Sequence, residues 1–291
     1  YVETPFRNST QLSRNKVFFI SSFGIMIFVT LGVIGDIKNG FENRLEDYQL
    51  EILQWEKYPR GIGYREVDCF LRPEQSHTEF KSACTEANIG TLIWGDSHAA
   101  ALSNGWRVNR DAHQLNASGC APIINSEFPL RQHCSDINRH IIDVVAEQKY
   151  DTVILHAYWA LYSDEQLANI PFTITELQNI GVRNIVLIGG VPRYLPSLPS
   201  RLLMERTPLN MIEFMEESQS YVAEYDNKLL ALYNGMNVIF VSSLNQFCNS
   251  DTCKVTTDFD GETVPMAWDY GHLTKGGAIW FSNQIDRILS R

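Results

Sequence analysis

Residues 92–101 read Leu-Ile-Trp-Gly-Asp-Ser-His-Ala-Ala-Ala, and this stretch decides the fold. A short apolar run enters Gly95-Asp96-Ser97 and leaves through a run of helix formers. That order reads as strand, tight turn and helix, with Ser97 on the turn. A serine placed there faces solvent beside the positive end of a helix. Far downstream, Asp269-Tyr-Gly-His272 sets an acid and an imidazole three residues apart. Nucleophile, base and orienter are then all present, so the chain reads as a serine-dependent acyl-transfer enzyme.

Outward from that turn, strands and helices alternate from Ile89 onward. The apolar runs at 91–94, 114–117, 152–156, 184–188 and 237–241 are expected strands. Most are short and continuously apolar, as strands buried on both faces must be. Helices are expected over 97–109, 136–149, 164–180, 209–234 and 275–290, with Gly181 and Gly235 as C-terminal caps of two of them. Five β–α units imply an α/β fold with a five-stranded parallel sheet and helices on both faces. The working groups of such a sheet gather at the carboxyl ends of its strands. Residues 191–208 form an expected loop with four prolines.

The N-terminal part has a different character. Residues 17–35 form 19 consecutive positions without a charge. As a helix they span about 28 Å at about 1.5 Å per residue, enough to cross a bilayer core. A buried core helix is the alternative; a signal peptide fits poorly, because no small-residue cleavage site follows. Arg7, Arg14 and Lys16 precede the span, whereas Lys38 and Arg44 follow it among Asp36, Glu42, Glu46 and Asp47. Positive-inside counting puts the N-terminal side in the cytoplasm and everything after residue 35 outside. The expected division is therefore 1–16 as the end of a preceding membrane domain, 17–35 as a transmembrane helix, 36–88 as a linker extension, and 89–291 as the catalytic domain. The first residue is Tyr1, so a piece of a longer protein is expected. Phe41, Leu45, Tyr48, Ile52 and Trp55 recur at helical spacing within the extension.

All six cysteines, Cys69, Cys84, Cys120, Cys134, Cys248 and Cys253, follow the apolar span. An even number on the outer side implies up to three disulfides in an oxidising compartment. Fifteen full pairings are possible; sequence neighbours give 69–84, 120–134 and 248–253. No Cys or His pair has zinc-ligand spacing, so no metal is expected. The net charge of −10 without a basic cluster argues against a nucleic-acid partner.

The Ser97 N–H lies at a helix start, free to hold an oxyanion. A serine hydroxyl needs a base, which His272 supplies, while Asp269 fixes its tautomer. Taken alone, Ser97 also reads as a helix cap and Asp-x-x-His as chance. Asp96 is expected to brace the turn, and His98 to be structural. His77, His113, His133 and His140 share no spacing. Arg193 and Tyr194, with Arg201 and Arg206, lie in the proline-rich loop. There they read either as a solvated loop or as a glycan groove, with Tyr194 stacking on a sugar.

Gly95-Asp96-Ser97-His98 and Asp269-Tyr-Gly-His272-Leu-Thr resemble the first and last blocks of the SGNH (GDSL-like) hydrolase superfamily, over residues 89–291. The resemblance implies a three-layer flavodoxin-like α/β/α sandwich and a triad of Ser97, Asp269 and His272. It also implies oxyanion donors from Ser97, a glycine matched by Gly119, and an asparagine. The asparagine block has no counterpart, since the third strand ends Leu-His156-Ala-Tyr-Trp159. His156 and the Trp159 indole stand as candidate substitutes, beside the reading that two backbone N–H groups suffice.

Glu3-Thr-Pro-Phe-Arg7 resembles the closing motif of the membrane-bound acyltransferase-3 family. An apolar span followed by an SGNH domain is the layout of bacterial acyltransferase-3–SGNH fusions of the O-antigen acetyltransferase type. The resemblance implies a bacterial inner-membrane protein with its SGNH domain in the periplasm. It implies acetyl-CoA as the ultimate donor at the membrane acyltransferase domain, with no cofactor in the SGNH domain. The acceptor it implies is a sugar hydroxyl of an extracytoplasmic polysaccharide, the lipopolysaccharide O-antigen. The alternatives are an acetyl or carbohydrate esterase of the SGNH family and a non-catalytic glycan-binding module.

Overall fold

The computed structural model describes residues 13–38, 40–86, 89–216, 219–249 and 252–290. The acyltransferase-3-like motif at residues 3–7 lies outside them. The chain divides into two compact units, one ending at Leu50 and one running from Glu51 to Arg291. In the first unit, α1 (Arg14–Ile37) is a 24-residue helix with no buried residue. Its most apolar window has a mean hydropathy of 2.5, long and apolar enough to cross a membrane.

The second unit is built on a six-stranded sheet in the order β1-β3-β2-β4-β5-β7, and every pairing in it is parallel. Its strands are β1 (Phe70–Leu71), β2 (Thr91–Gly95), β3 (His113–Ala117), β4 (Thr152–His156), β5 (Asn184–Ile188) and β7 (Ile239–Val241). The sheet thus has one strand more than the five expected. The extra one, β1, lies at the edge in the stretch assigned to the extension. Two residues are too few to show a period; a hydrogen bond from the Asn116 N–H to the Cys69 carbonyl and the Cys69–Cys84 disulfide fix it there. The other two disulfides, Cys120–Cys134 and Cys248–Cys253, complete the neighbour pairing.

β2 is central. Gly95 lies opposite Asn116 of β3 and His156 of β4. From β2 the chain adds β3 on one side, then crosses to β4 on the other. That reversal opens a crevice at the carboxyl end of β2, the usual place for a ligand in such sheets. Two helices carry the site across this end. α4 (Ser97–Asn109) starts directly after β2, and α11 (Lys275–Leu289) packs along it. They approach closely at Gly105, where a Cβ would lie 2.2 Å from Ala278 backbone.

Three elements differ from expectation. The helix expected over 209–234 begins only at α9 (Ser220–Leu232), because the preceding stretch forms β6 (Phe214–Glu216) and pairs antiparallel with β8 (Thr252–Lys254). The helix expected over 164–180 breaks into α6 (Asp164–Leu167) and α7 (Ile170–Ile180), with Pro171 in the first turn of the second. The proline-rich loop contains α8 (Leu198–Met204). A hairpin of β9 (Thr256–Phe259) and β10 (Glu262–Pro265) closes through Asp260-Gly261, both at positive φ. Asp-Gly is a strong short-range hairpin signal in a sequence.

Candidate active site

Three consecutive residues build the turn after β2. A Cβ at Gly95 would lie 1.7 Å from the His156 carbonyl oxygen, so only glycine lets the two strand ends approach. Asp96 is buried and caps α4. One carboxylate oxygen accepts the His98 N–H at 2.9 Å; the other accepts the Tyr158 N–H at 2.9 Å and the Tyr162 hydroxyl at 3.1 Å. Burial raises the Asp96 carboxyl above the usual range, against the pull of those amides. Asp96 therefore braces the turn and ties it to the loop after β4. Ser97 opens α4, half-buried and reachable from solvent.

Asp269 and His272 lie on the loop between β10 and α11. The Asp269 Oδ1 accepts the N–H groups of Gly271 at 3.0 Å and His272 at 2.8 Å, which folds the loop on itself. Its Oδ2 meets His272 Nδ1 at 2.7 Å, and His272 Nε2 meets Ser97 Oγ at 2.7 Å. A carboxylate only accepts, so Nδ1 carries the ring proton and the Nε2 lone pair faces the serine hydroxyl. The structure thus brings the three residues named from sequence into one hydrogen-bonded chain. It is the geometry in which an imidazole takes a serine proton.

Aromatic rings frame the imidazole. Trp268 stacks on His272 at 5.5 Å and donates its indole N–H to the Tyr64 hydroxyl at 2.9 Å. His98, buried, lies 4.3 Å from the His272 ring and stacks on Tyr158 at 5.2 Å. Burial holds His98 well below the ordinary histidine pKa, so it stays neutral. Trp268, Tyr158 and Tyr270 were missed from sequence; the adjacency of Trp268 and Tyr270 to Asp269 was the available signal.

Gly119 follows β3 with φ +62, in the left-handed region that favours glycine. Among the described residues, neither its N–H nor that of Ser97 donates to a protein acceptor. Neither candidate for a third donor can serve. The Trp159 indole N–H is spent on the Ile188 carbonyl at 2.7 Å. His156 Nδ1 faces that same carbonyl at 3.4 Å and so carries the ring proton. Burial pulls the His156 pKa down to about 4, leaving Nε2 an unprotonated acceptor at neutral pH.

The glycan-stacking role considered for Tyr194 is also corrected. Its ring is 1 % exposed, and its N–H donates to the Tyr270 carbonyl at 2.8 Å, so it packs under the site instead of lining it. Arg193 lays its guanidinium over the Tyr221 ring at 5.1 Å. A cavity of about 680 Å³ opens beside Gly119, between the loops around 118–131 and 161–169. Among the described residues no three His, Cys, Asp or Glu side chains gather to hold a metal.

Residues 68–287 match the family described as "SGNH domain (fused to AT3 domains)". The fold is similar to the periplasmic domain of a lipopolysaccharide acetyltransferase from Salmonella ser. Paratyphi A. The TM-score is 0.65 at 20% identity, over 82% of this chain and 97% of that one. A more distant likeness is to Est24, a carbohydrate acetylesterase from Sinorhizobium meliloti, with TM-score 0.43 and 12% identity over 69% of this chain and 98% of that one. No curated protein matches the chain.

Proposed function

The chain belongs to the family of SGNH domains found fused to AT3 domains, and from that premise we propose that it is an O-acetyltransferase domain working through a Ser97 acyl-enzyme. The carrying observation is the hydrogen-bonded chain Ser97–His272–Asp269. His272 Nε2 takes the Ser97 proton as Oγ attacks the acetyl carbonyl of the donor. The Ser97 and Gly119 N–H groups hold the resulting oxyanion. His272 returns the proton to the leaving group, and the acetyl group stays on Oγ. An acceptor hydroxyl then gives its proton to His272 and attacks the acetyl carbonyl; collapse transfers the acetyl and restores Ser97.

The acceptor we propose is a sugar hydroxyl of an extracytoplasmic polysaccharide, a lipopolysaccharide O-antigen. Support comes from the family's fusion to AT3 domains and from the shared fold with the Salmonella periplasmic domain. In this reading α1 anchors the domain in the bacterial inner membrane. The catalytic part then faces the periplasm, and the AT3 domain of the same chain delivers acetyl groups taken from acetyl-CoA. An acetyl-esterase reading uses the same triad with water as the second nucleophile. The test is the mass spectrum of the native polysaccharide from cells carrying wild-type or Ser97→Ala protein. Loss of the O-acetyl mass with the variant is expected. O-acetylation that persists in Ser97→Ala overturns the assignment, and free acetate with no transfer beside the full membrane domain selects the esterase.

A further inference from the structure

The oxyanion site proposed above has two backbone donors and no side-chain third, so the aim of each N–H counts for more. The Ser97 N–H is fixed by the start of α4. The Gly119 N–H sits in a loop at positive φ, and among the described residues no atom beyond its two chain neighbours comes within 4 Å of the place a Cβ would occupy. Crowding on that side does not hold the peptide in one orientation. The Ser118 carbonyl and the Gly119 N–H belong to one peptide group, and in a trans peptide they point in opposite directions. Whatever holds the carbonyl therefore aims the N–H.

Arg131 holds that carbonyl. Its Nε donates to the Ser118 oxygen at 3.1 Å. The rest of the guanidinium is committed as well: Nη1 donates to the Pro73 carbonyl, and Nη2 to the Arg72 and Gln75 carbonyls, each at 2.8 Å. Arg131 is 3% exposed, and its backbone is pinned between Phe128 and Cys134, three residues from the Cys120–Cys134 disulfide. On the other side, the Ser118 N–H donates to the Leu71 carbonyl of β1 at 2.9 Å. A buried, permanently charged fork thus ends on four carbonyls, one of them the back of the oxyanion peptide.

We propose that Arg131 is a positioning residue of the oxyanion hole, orienting the Ser118–Gly119 peptide so that the Gly119 N–H faces the carbonyl attacked by Ser97. Two effects follow from one contact. The hydrogen bond stops the peptide from turning over. The cation at the oxygen end polarises the peptide, which makes its N–H a stronger donor to a developing negative charge. Lysine cannot replace it, because one ammonium lacks the planar fork that spans these carbonyls.

This inference rests on the acyl-enzyme reading, and the experiment separates the two. The full chain in detergent, as wild type, Arg131→Lys and Arg131→Gln, is treated with a fluorophosphonate, whose tetrahedral adduct on Ser97 needs the oxyanion donors. Labelling at Ser97 is followed by mass spectrometry, alongside p-nitrophenyl acetate hydrolysis. Both variants are expected to be labelled about 10- to 100-fold more slowly per folded molecule, with kcat reduced to match. KM and the pH–rate profile are expected to stay near wild type. A purely structural Arg131 lowers the folded fraction and leaves the rate per folded molecule unchanged, and that result overturns the inference alone. Wild-type protein that is never labelled at Ser97 overturns the acyl-enzyme reading instead. Should neither variant fold, the wild-type protein decides by NMR. The Gly119 amide proton is expected to move downfield on phosphonylation, with the Arg131 Nε proton protected from exchange. An unmoved Gly119 amide overturns the proposal.

Discussion

At the residue scale, the site is organised by neutral histidines as much as by His272. Burial brings His156 down to about 4 from an ordinary value of 6.5, and His98 is pushed in the same direction. Above pH 6.5 both folded and unfolded chains hold a neutral ring at 156, and the position adds no pH dependence. Between 6.5 and about 4 the unfolded chain binds a proton that the folded chain refuses, so stability falls as pH falls. Asp96, raised by burial, acts in the opposite sense, since its protonation on acidification favours the folded chain. His156→Asn isolates the first effect, because an asparagine amide can still donate to the Ile188 carbonyl. Urea unfolding at pH 7 and pH 5 is expected to show a loss about 2 kcal/mol smaller in the variant than in wild type. Equal losses in the two proteins contradict the buried neutral ring. Ser97, Asp269 and His272 were legible in the sequence because local rules place each of them: a strand-to-helix turn, and an Asp that folds its own loop. The surroundings were not. Arg131 and Tyr194 owe their places to contacts with chain more than 50 residues away, and no local pattern records those contacts.

At the scale of elements, one crossing sets the distance between Ser97 and His272. α4 starts at Ser97, and α11 starts three residues after His272, so the separation of these helices fixes the Ser97–His272 hydrogen bond. Gly105 allows the approach, with Ala278 backbone 2.2 Å from where a Cβ would stand. Backbone cannot swing away as a flexible side chain can. Gly105→Ala is therefore expected to push the helices apart, costing about 1–3 kcal/mol by the general cost of overpacking. Measured by urea unfolding, that loss should come with slower phosphonate labelling of Ser97 in the protein that remains folded. Unchanged stability and labelling would show that the crossing is softer than its geometry implies. The strands flanking this crossing were readable as short buried apolar runs, and the helix starting at Ser97 was read to its residue. β1 was not, being two residues long and defined by its partner strand. β6 was not either: Phe214-Met215-Glu216 sits beside helix-forming sequence and becomes a strand only because Thr252–Lys254 pairs with it.

For the whole molecule, the disulfides link folding to location. All six cysteines lie after α1 and all are paired, with sequence separations of 15, 14 and 5. Two of the bridges bracket the Gly119 side of the sheet, one tying β1 and the other closing the loop from Gly119 to α5 (Cys134–Gln148). Closing loops of these lengths in the unfolded chain is worth together about 8 kcal/mol in the chain-entropy model. That is comparable with the whole net stability of an ordinary domain, about 5–15 kcal/mol. A chain kept reduced therefore has little stability left, as the periplasmic placement proposed above requires of a disulfide-bonded domain. The expected outcome is a large fall in the urea midpoint on full reduction, with protease sensitivity appearing across the second unit. Replacing only Cys120 and Cys134 with alanine should cost about 3 kcal/mol. If the midpoint of the fully reduced chain matched that of the oxidised one, the core alone would be holding the sheet together. The link between compartment and folding would then fail, even with the triad intact.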